Sequence, residues 1–318
     1  MAFMSALVML LAGGVMAAMP AVPARAAASE AGLPFIHNFE PAEYGGAPQN
    51  WAVTQGLDGV IYVGNVEDGV LMFDGTRWQR VPVPNRVVVR SLATGSDGRV
   101  YVGTVGDFGY LKPDASGRLA YVSLLELVPP AERNFSDVWD IHVSGKDVYF
   151  DTASRVFHLH DGQVTTIKPQ TSFHLGFLID GTVYIREVDR GLMRIVGDEL
   201  QPVAGGEVFA DKRIYALLPW RGDGARPGRL LAGTRSDGWF LFDGSGWKPW
   251  RIETDAVLGD AAIYGAIWLT DGRLAVATLR DGLFLLGKDG RLLRHLTRAT
   301  GLDTNVVLGL MQDRQHGL

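Results

Sequence analysis

Hydrophobic positions recur in short runs of about five residues, separated by polar and turn-forming positions, over most of the chain. The runs are rich in Val, Ile, Leu, Tyr and Phe and are bounded by Gly and Asp, a pattern typical of β-strands joined by hairpin turns. In many runs, such as Val100–Val102, large apolar side chains occupy both faces of the predicted strand. Such a strand belongs to a sheet that is covered on both sides. The pattern therefore predicts an all-β fold of short antiparallel strands.

The runs come in groups of four, and the group repeats. The stretches at 68–78 (DGVLMFDGTRW) and 236–247 (SDGWFLFDGSGW) show the repeat most clearly. Complete units cover 50–83, 89–124, 138–169, 173–203, 214–252 and 263–296, and a partial unit covers 305–318. Four antiparallel strands per unit are the pattern of a β-propeller blade. We predict a β-propeller, most simply seven-bladed, of which six blades and part of a seventh are present.

A propeller closes as a ring because an open edge strand invites aggregation. The ring could be completed in two ways. Residues 35–47 would supply an edge strand to the seventh blade, or the protein would continue beyond residue 318. We favour the second, because the last unit stops before its second strand. On this interpretation the chain is the N-terminal part of a longer protein, and its propeller domain, 29–318, is truncated at the C-terminal end.

The first 28 residues differ from the rest. They contain an apolar stretch without charges, followed by small residues spaced as Ala-x-Ala near residues 24–28. This pattern predicts a signal peptide, and therefore export to the periplasm. The alternative is an uncleaved membrane anchor, since the apolar stretch is just long enough to span a bilayer.

The last stretch, GLDTNVVLGLMQDRQHGL, resembles the two-component regulator propeller repeat. The matching residues are Gly301, Leu302, Asn305, Val307, Leu310, Asp313 and Leu318, whereas Thr304 and His316 depart from the pattern. Residues 44–78 resemble the first blade of the same family, and the resemblance is thin over 125–210. It implies an extracytoplasmic sensor of a bacterial hybrid histidine kinase or diguanylate cyclase. It also implies paired propellers, a membrane helix that tethers them to the inner membrane, and an output domain beyond residue 318.

Composition narrows the function further. The formal net charge is −5 without a dense run of Lys or Arg, which argues against nucleic-acid binding through this region. The chain has no Cys, so disulfides, thiolate metal sites and thiol nucleophiles are excluded. Hydrolase, zinc-protease and nucleotide-binding motifs are absent from the sequence, and most Asp residues stand in Asp-Gly turns. We therefore predict no catalytic residue and no cofactor, although an output domain in the whole protein would have its own activity.

One aligned position carries the candidate site. About seven residues before the first turn of each unit stands a ring-bearing residue or an Arg, and a partial unit adds Leu308. First strands line the central channel of a propeller, so these residues form a ring. Such side chains suit a small molecule, an oligosaccharide or a peptide, because rings offer stacking area and Arg pairs with carboxylates. The candidate ring residues are Trp51, Arg90, Trp139, His174, Tyr215 and Tyr264, with Asp107 and Asp140 as second-tier candidates. The alternative is that bulky side chains merely fill the channel.

His158 and His160 lie on one face of a predicted strand and offer two imidazoles to a metal ion. No third ligand is evident nearby in the sequence, so we predict no metal site.

The sequence thus favours a periplasmic propeller that senses a small molecule, an oligosaccharide or a peptide. Its partners would be a downstream propeller and an output domain, and a homodimer is left open. Two alternatives remain: a secreted lyase or glycosidase that acts at the channel mouth, and a protein–protein interaction scaffold.

Overall fold

The computed structural model describes residues 35–222 and 228–318; the predicted signal peptide at 1–28 lies outside them. The described residues form six sheets, each of four antiparallel strands paired in chain order. Blades one to three contain β1 (Asn50–Gln55), β2 (Ile61–Asn65), β3 (Val70–Phe73), β4 (Trp78–Val81), β5 (Val89–Thr94), β6 (Val100–Thr104), β7 (Phe108–Pro113), β8 (Leu119–Ser123), β9 (Asp140–Ser144), β10 (Asp147–Asp151), β11 (Val156–His160) and β12 (Gln163–Ile167). Blades four to six contain β13 (Phe173–Ile179), β14 (Thr182–Glu187), β15 (Gly191–Val196), β16 (Glu199–Pro202), β17 (Ile214–Pro219), β18 (Leu230–Thr234), β19 (Trp239–Phe242), β20 (Trp247–Trp250), β21 (Ile263–Trp268), β22 (Leu274–Thr278), β23 (Leu283–Leu286) and β24 (Leu292–Leu296).

Helices are short and lie outside the blades, in the segments before, between and after them. They are α1 (Pro41–Tyr44), α2 (Asp255–Ala261) and the single 3₁₀ turns Pro84–Arg86, Leu125–Leu127, Pro130–Glu132, Gly206–Phe209 and Arg298–Thr300. Within the described ranges, no helix is both long and apolar enough to cross a membrane.

The Asp-Gly pairs form the hairpin turns that the sequence predicts. Asp161 and Asp180 have φ values of 44° and 48°, and the glycines that follow them have φ values of 80° and 77°. Two consecutive left-handed residues define the two-residue hairpin turn whose twist matches the flanking strands. At Asp58 the side chain contributes instead, since its Oδ1 accepts a hydrogen bond from the Val60 N–H at 3.1 Å.

The hydrophobic core lies between the blades. Buried side chains from each blade pack against the next, so the prediction of two covered faces is confirmed. Between blades two and three, the ring of Phe108 stacks on Phe150 at 4.3 Å and contacts Phe157 at 5.0 Å. All three side chains are fully buried. Burying each such ring stabilises the fold by about 1.5–3 kcal/mol.

The position between blade six and blade one is occupied by an extended segment, residues 305–311. The Val307 N–H donates to the carbonyl of Thr278 at 2.9 Å, the same contact that Val138 makes with Thr104 where blade three meets blade two. Leu310 packs on the apolar face of blade six, and the Arg314 N–H donates to Gln55 of blade one at 3.0 Å. This segment therefore lies where the first strand of another blade would lie.

The six predicted blades are confirmed, and each predicted unit contains the four strands of one sheet. The seventh blade is not formed, because residues 305–318 contain no strand and pair only through single hydrogen bonds. Residues 35–47 supply no edge strand either; they include α1. A seven-bladed ring stays a prediction.

Candidate ligand site at the channel mouth

A β-bulge presents the candidate ring residue in five of the six blades. In β1, for example, the pairing with β2 passes from Asn50 to Ala52 and skips Trp51. The same interruption occurs at Arg90, Tyr215 and Tyr264, and in β13 the pairing skips both His174 and Leu175. Bulges turn a side chain out of the regular alternation of a strand. In blade three, Trp139 directly precedes β9, and its N–H donates to the carbonyl of Asp151 at 2.8 Å.

Trp51, Arg90 and Trp139 form one half of the ring. The guanidinium carbon of Arg90 lies 4.0 Å from the centroid of the Trp51 ring and 4.9 Å from that of Trp139. Arg90 Nε also donates to Asp137 Oδ1 at 2.6 Å. A guanidinium held between two indoles is stabilised by their negative ring faces. Blades one to three therefore place a fixed cation at the mouth of the channel.

His174, Tyr215 and Tyr264 form the other half. The centroid of Tyr215 lies 5.1 Å from that of His174 and 5.4 Å from that of Tyr264. Arg235, from the turn between β18 and β19, stacks on Tyr215 and donates from Nη2 to its hydroxyl at 2.7 Å. Blades four to six therefore present a continuous aromatic surface.

The two halves border a cavity of about 460 Å³ in the centre of the propeller. First-strand residues of all six blades line it, together with residues 308–310, which confirms that first strands line the channel. The ring residues Trp51, Arg90, Trp139, Tyr215 and Tyr264 contribute to this wall, while His174 packs beside Tyr215. The volume lies in the range of small-molecule sites.

A charged cluster lies in the cavity wall of blade three. His142 Nε2 lies 2.8 Å from Asp151 Oδ2, and both side chains are buried. Burial alone lowers the pKa of His142, but the charges of Asp151 and Asp140 oppose burial and raise it to about 9. Burial, together with the charge of Asp151, raises the pKa of Asp140 to about 6, against the opposing effect of His142. The wall therefore carries an imidazolium and a carboxyl that titrates near neutrality.

His174 has the opposite electrostatics. Burial lowers its pKa to about 4, and the positive charges of Arg186, Arg213 and Arg235 act in the same direction. The imidazole is therefore neutral at pH 7.

Several nitrogen atoms at this end are buried without a protein partner in the described ranges. They are Trp51 Nε1, Arg90 Nη1, His174 Nδ1 and Arg235 Nε. Buried polar atoms are almost always hydrogen-bonded, so these four atoms are exceptions. Three of the four are donors in every protonation state accessible near pH 7, and they call for acceptor oxygens.

The two second-tier candidates, Asp107 and Asp140, lie in different places. Asp140 lines the cavity, but Asp107 faces the outer strands of blade two, where its Oδ1 accepts from Ser123 Oγ at 2.7 Å. Burial raises the pKa of Asp107. The structure does not bring Asp107 to the ring.

Sequence reasoning missed Arg235, His142 and Asp151. His142 and Asp151 lie at regular positions of β9 and β10. Their contact depends on the register between these two strands, which the sequence alone does not specify. Arg235 follows the second strand of blade five, where the corresponding residues of the other blades are uncharged: Val66, Val105, Thr152, Val188 and Leu279.

Comparison with solved structures supports the architecture. An extracellular domain assigned to a hybrid two component system of B. thetaiotaomicron matches with a TM-score of 0.65 and 17% identity, over 88% of this chain and 39% of that one. Another from B. thetaiotaomicron, assigned to a one component system, matches with a TM-score of 0.63 and 16% identity, over 85% and 37%. Virginiamycin B lyase from Staphylococcus aureus matches with a TM-score of 0.57 and 12% identity, over 76% and 82%.

These similarities show a shared propeller fold. The chain spans about two fifths of the two B. thetaiotaomicron domains. No protein-family model matches the sequence, and no curated protein matches it. An extracellular domain of a two component system and a lyase both share the fold, so the choice of function depends on the site.

Proposed function

We propose that this chain is the ligand-sensing propeller of an exported bacterial signal-transduction protein, and that the channel mouth binds the ligand. The observation that carries the proposal is the ring itself. The same position of successive blades delivers Arg90 between two indoles, and the rings of Tyr215 and Tyr264, to one cavity, with His174 packed against Tyr215. The extracellular domains that share the fold support the assignment to signalling.

The site favours a compact ligand that has both oxygen acceptors and a ring or sugar face. The Arg90 side chain lines the cavity, is 18% exposed and offers guanidinium donors on one side. Tyr215 and Tyr264 offer an aromatic surface on the other. A sugar acid or an acidic oligosaccharide satisfies both sides, because its carboxylate pairs with the guanidinium while its ring packs on the tyrosines.

A screen by thermal shift, followed by titration calorimetry, tests this function. Neutral sugars, sugar acids, their oligomers, amino acids and short peptides are offered to the purified chain. We expect stabilisation by an acidic saccharide and the loss of at least ~10-fold in affinity in Trp139→Ala, since Trp139 is the most exposed ring at the mouth. The control is Leu293→Ala, which removes a similarly exposed apolar side chain from the outer strand of blade six.

Equal affinity in Trp139→Ala and Leu293→Ala would contradict a site at the ring. No binding by any class in the screen would contradict the sensing proposal.

A second candidate function rests on Asp140. A carboxyl whose pKa is about 6, in a cavity beside an imidazolium, has the acid–base properties of a general acid or base. Such a group suits a lyase or a glycosidase. The test is turnover of the ligand that binds, followed by chromatography: product that disappears in Asp140→Asn while binding persists would favour the enzyme over the sensor.

The scaffold alternative lacks a comparable observation. The exposed large apolar side chains are spread over different blades, as at Leu57, Leu127, Val196 and Leu293. On the sensing proposal, export follows from the predicted signal peptide, and a downstream propeller, an inner-membrane tether and an output domain complete the pathway. The ligand then acts by binding one signalling state more tightly than another.

A further inference from the structure

Strand pairing in blade three supplies the third ligand that the sequence did not reveal for His158 and His160. The two histidines lie two residues apart on β11 and so share a face. Tyr149 of β10 stands opposite His158, which brings Asp147, at the start of β10, between the two imidazoles. Asp147 Oδ1 lies 2.8 Å from His158 Nε2 and 2.6 Å from His160 Nδ1.

We propose that Asp147, His158 and His160 form a binding site for a divalent transition-metal ion, with zinc as the best fit. Their ligand atoms all lie within 4.8 Å of one another. Ligand atoms at about 2.1 Å from a tetrahedral ion stand about 3.4 Å apart, so small side-chain rotations bring these three to their places. Two imidazoles and a carboxylate leave a fourth position for water. Imidazole nitrogens select zinc and its neighbours over magnesium and calcium.

The surroundings of the ligands resemble a built metal site. His158 Nδ1 lies 2.7 Å from Asp198 Oδ1, so the ligand imidazole has a carboxylate on its other nitrogen. His160 Nε2 lies 3.3 Å from Asp161 Oδ2, an ion-pair contact without hydrogen-bond geometry. Metal-binding histidines commonly donate their second N–H to a carboxylate, as His158 does to Asp198, which fixes the ring and increases its basicity. The ring of Tyr149 stacks on His158 at 4.3 Å, with 8° between the planes, and holds it further.

Charge and exposure permit the binding of a cation. Three carboxylates surround the two imidazoles, and the nearby ammonium of Lys146 pairs with Asp161 rather than with Asp147. His158 is 12% exposed, whereas His160 is 52% exposed, so one ligand is rigid and the other is accessible. The cluster lies beside the turns that follow β9 and β11. These turns are at the end of the blade opposite Trp139, so the site is separate from the channel mouth.

The site lies where blade three contacts blade four, so a bound ion would affect the contact between the two blades. Asp198 belongs to the turn between β15 and β16 of blade four, whereas the three ligands belong to blade three. An ion bound to His158 strengthens its hydrogen bond to Asp198 and thereby fastens the two blades together.

Titration of tag-free, chelator-treated protein with Zn²⁺ tests the site, because an affinity tag of histidines would bind the metal itself. Calorimetry measures stoichiometry and affinity, and Co²⁺ with visible absorption reports tetrahedral geometry. We expect one ion per chain, weaker binding by about 10–100-fold in Asp198→Asn, and a greater loss in His160→Ala. His160 is half exposed, so its removal leaves the fold intact.

The matched control is His295→Ala in blade six. His295 stacks on Phe284 at 4.1 Å and has Asp281 Oδ2 at 3.5 Å, but no second imidazole completes a metal-ligating group there among the described residues. This variant should bind Zn²⁺ like the wild type. The absence of saturable binding in the wild type, or equal affinity in His160→Ala and His295→Ala, would overturn the proposal. Neither result depends on the ligand of the channel.

Discussion

The two halves of the channel ring use the same position of the blade for different chemistry. In blades one to three, a guanidinium lies between two indoles, with an imidazolium and carboxylates in the wall below. In blades four to six, the ring consists of an imidazole and two phenols, and arginines lie near the imidazole. Two histidines show the difference in charge: His142, in the cavity wall of the first half, has a pKa of about 9, and His174, in the ring of the second half, has a pKa of about 4. The backbone presents the side chain, and the neighbours behind it set its charge.

The largest effect should come from breaking the buried pair of the first half. Asp151→Asn leaves the His142 imidazolium buried without its partner carboxylate. Removing one member of such a pair costs about 3–5 kcal/mol in the free energy of unfolding, as measured by urea denaturation. In Asp281→Asn, which faces the more exposed His295, the loss should stay below about 1 kcal/mol. Equal losses would mean that His142 is neutral.

The Arg90 guanidinium should contribute less to the free energy of unfolding than the His142–Asp151 pair does. Arg90→Met removes the guanidinium from between Trp51 and Trp139 and should cost about 2 kcal/mol in denaturation. The matched variant is Arg99→Met, whose side chain is 55% exposed and lies 5.0 Å from the Tyr110 ring; it should cost about 0.5–1 kcal/mol. A cost for Arg90→Met no larger than for Arg99→Met would contradict the stacked geometry.

Lowering the pH should destabilise the protein through His174, in the second half of the ring. The folded-state pKa of His174 is depressed below that of the unfolded chain, so the unfolded state binds more protons between pH 6.5 and 4. Stability should therefore fall by about 1–2 kcal/mol between pH 7 and pH 5 through this group. Asp140 acts in the opposite direction, because its folded-state pKa is raised. The comparison of wild type with His174→Gln over that range isolates the histidine, and identical slopes would show that folding does not shift its pKa.

Raising the pH should destabilise the protein through His142, in the cavity wall of the first half. The folded-state pKa of His142 is raised to about 9, so its contribution is fully present below pH 6.5 and is lost as the pH rises through 9. A denaturation series from pH 7 to pH 10 in wild type and His142→Gln checks this. An unchanged difference between the two proteins across the series would be the contrary result.

The smallest effect should come from the tyrosine hydroxyls. Tyr215→Phe removes the acceptor of the Arg235 hydrogen bond and should cost about 1 kcal/mol, since Arg235 Nε already lacks a partner. Tyr264→Phe keeps the ring contact and should cost close to nothing in denaturation. A reversed order would place the Arg235 contact elsewhere.

Much of this architecture was predictable from the sequence because each blade solves the same local problem. Apolar alternation and Asp-Gly turns determine the hairpins, and the aligned first strands identify Trp51, Arg90 and Tyr215 as channel residues. The bulges that present them were not predictable, since no turn residue marks them. Contacts between separate strands, such as those of Asp147 with His160 or Asp151 with His142, depend on register that a single sequence does not specify. The position of residues 305–318 depends on their contacts with Thr278 and Gln55 rather than on their own pattern of apolar and polar residues.

The most direct test of the account is a crystal structure of the protein soaked with the tightest ligand from the screen. We predict density in the channel mouth, with an oxygen of the ligand within hydrogen-bond distance of the Arg90 guanidinium and a ring or sugar face against Tyr215 and Tyr264. Density on an outer surface, with the ring side chains and the cavity unchanged, would contradict a sensing site at the channel mouth.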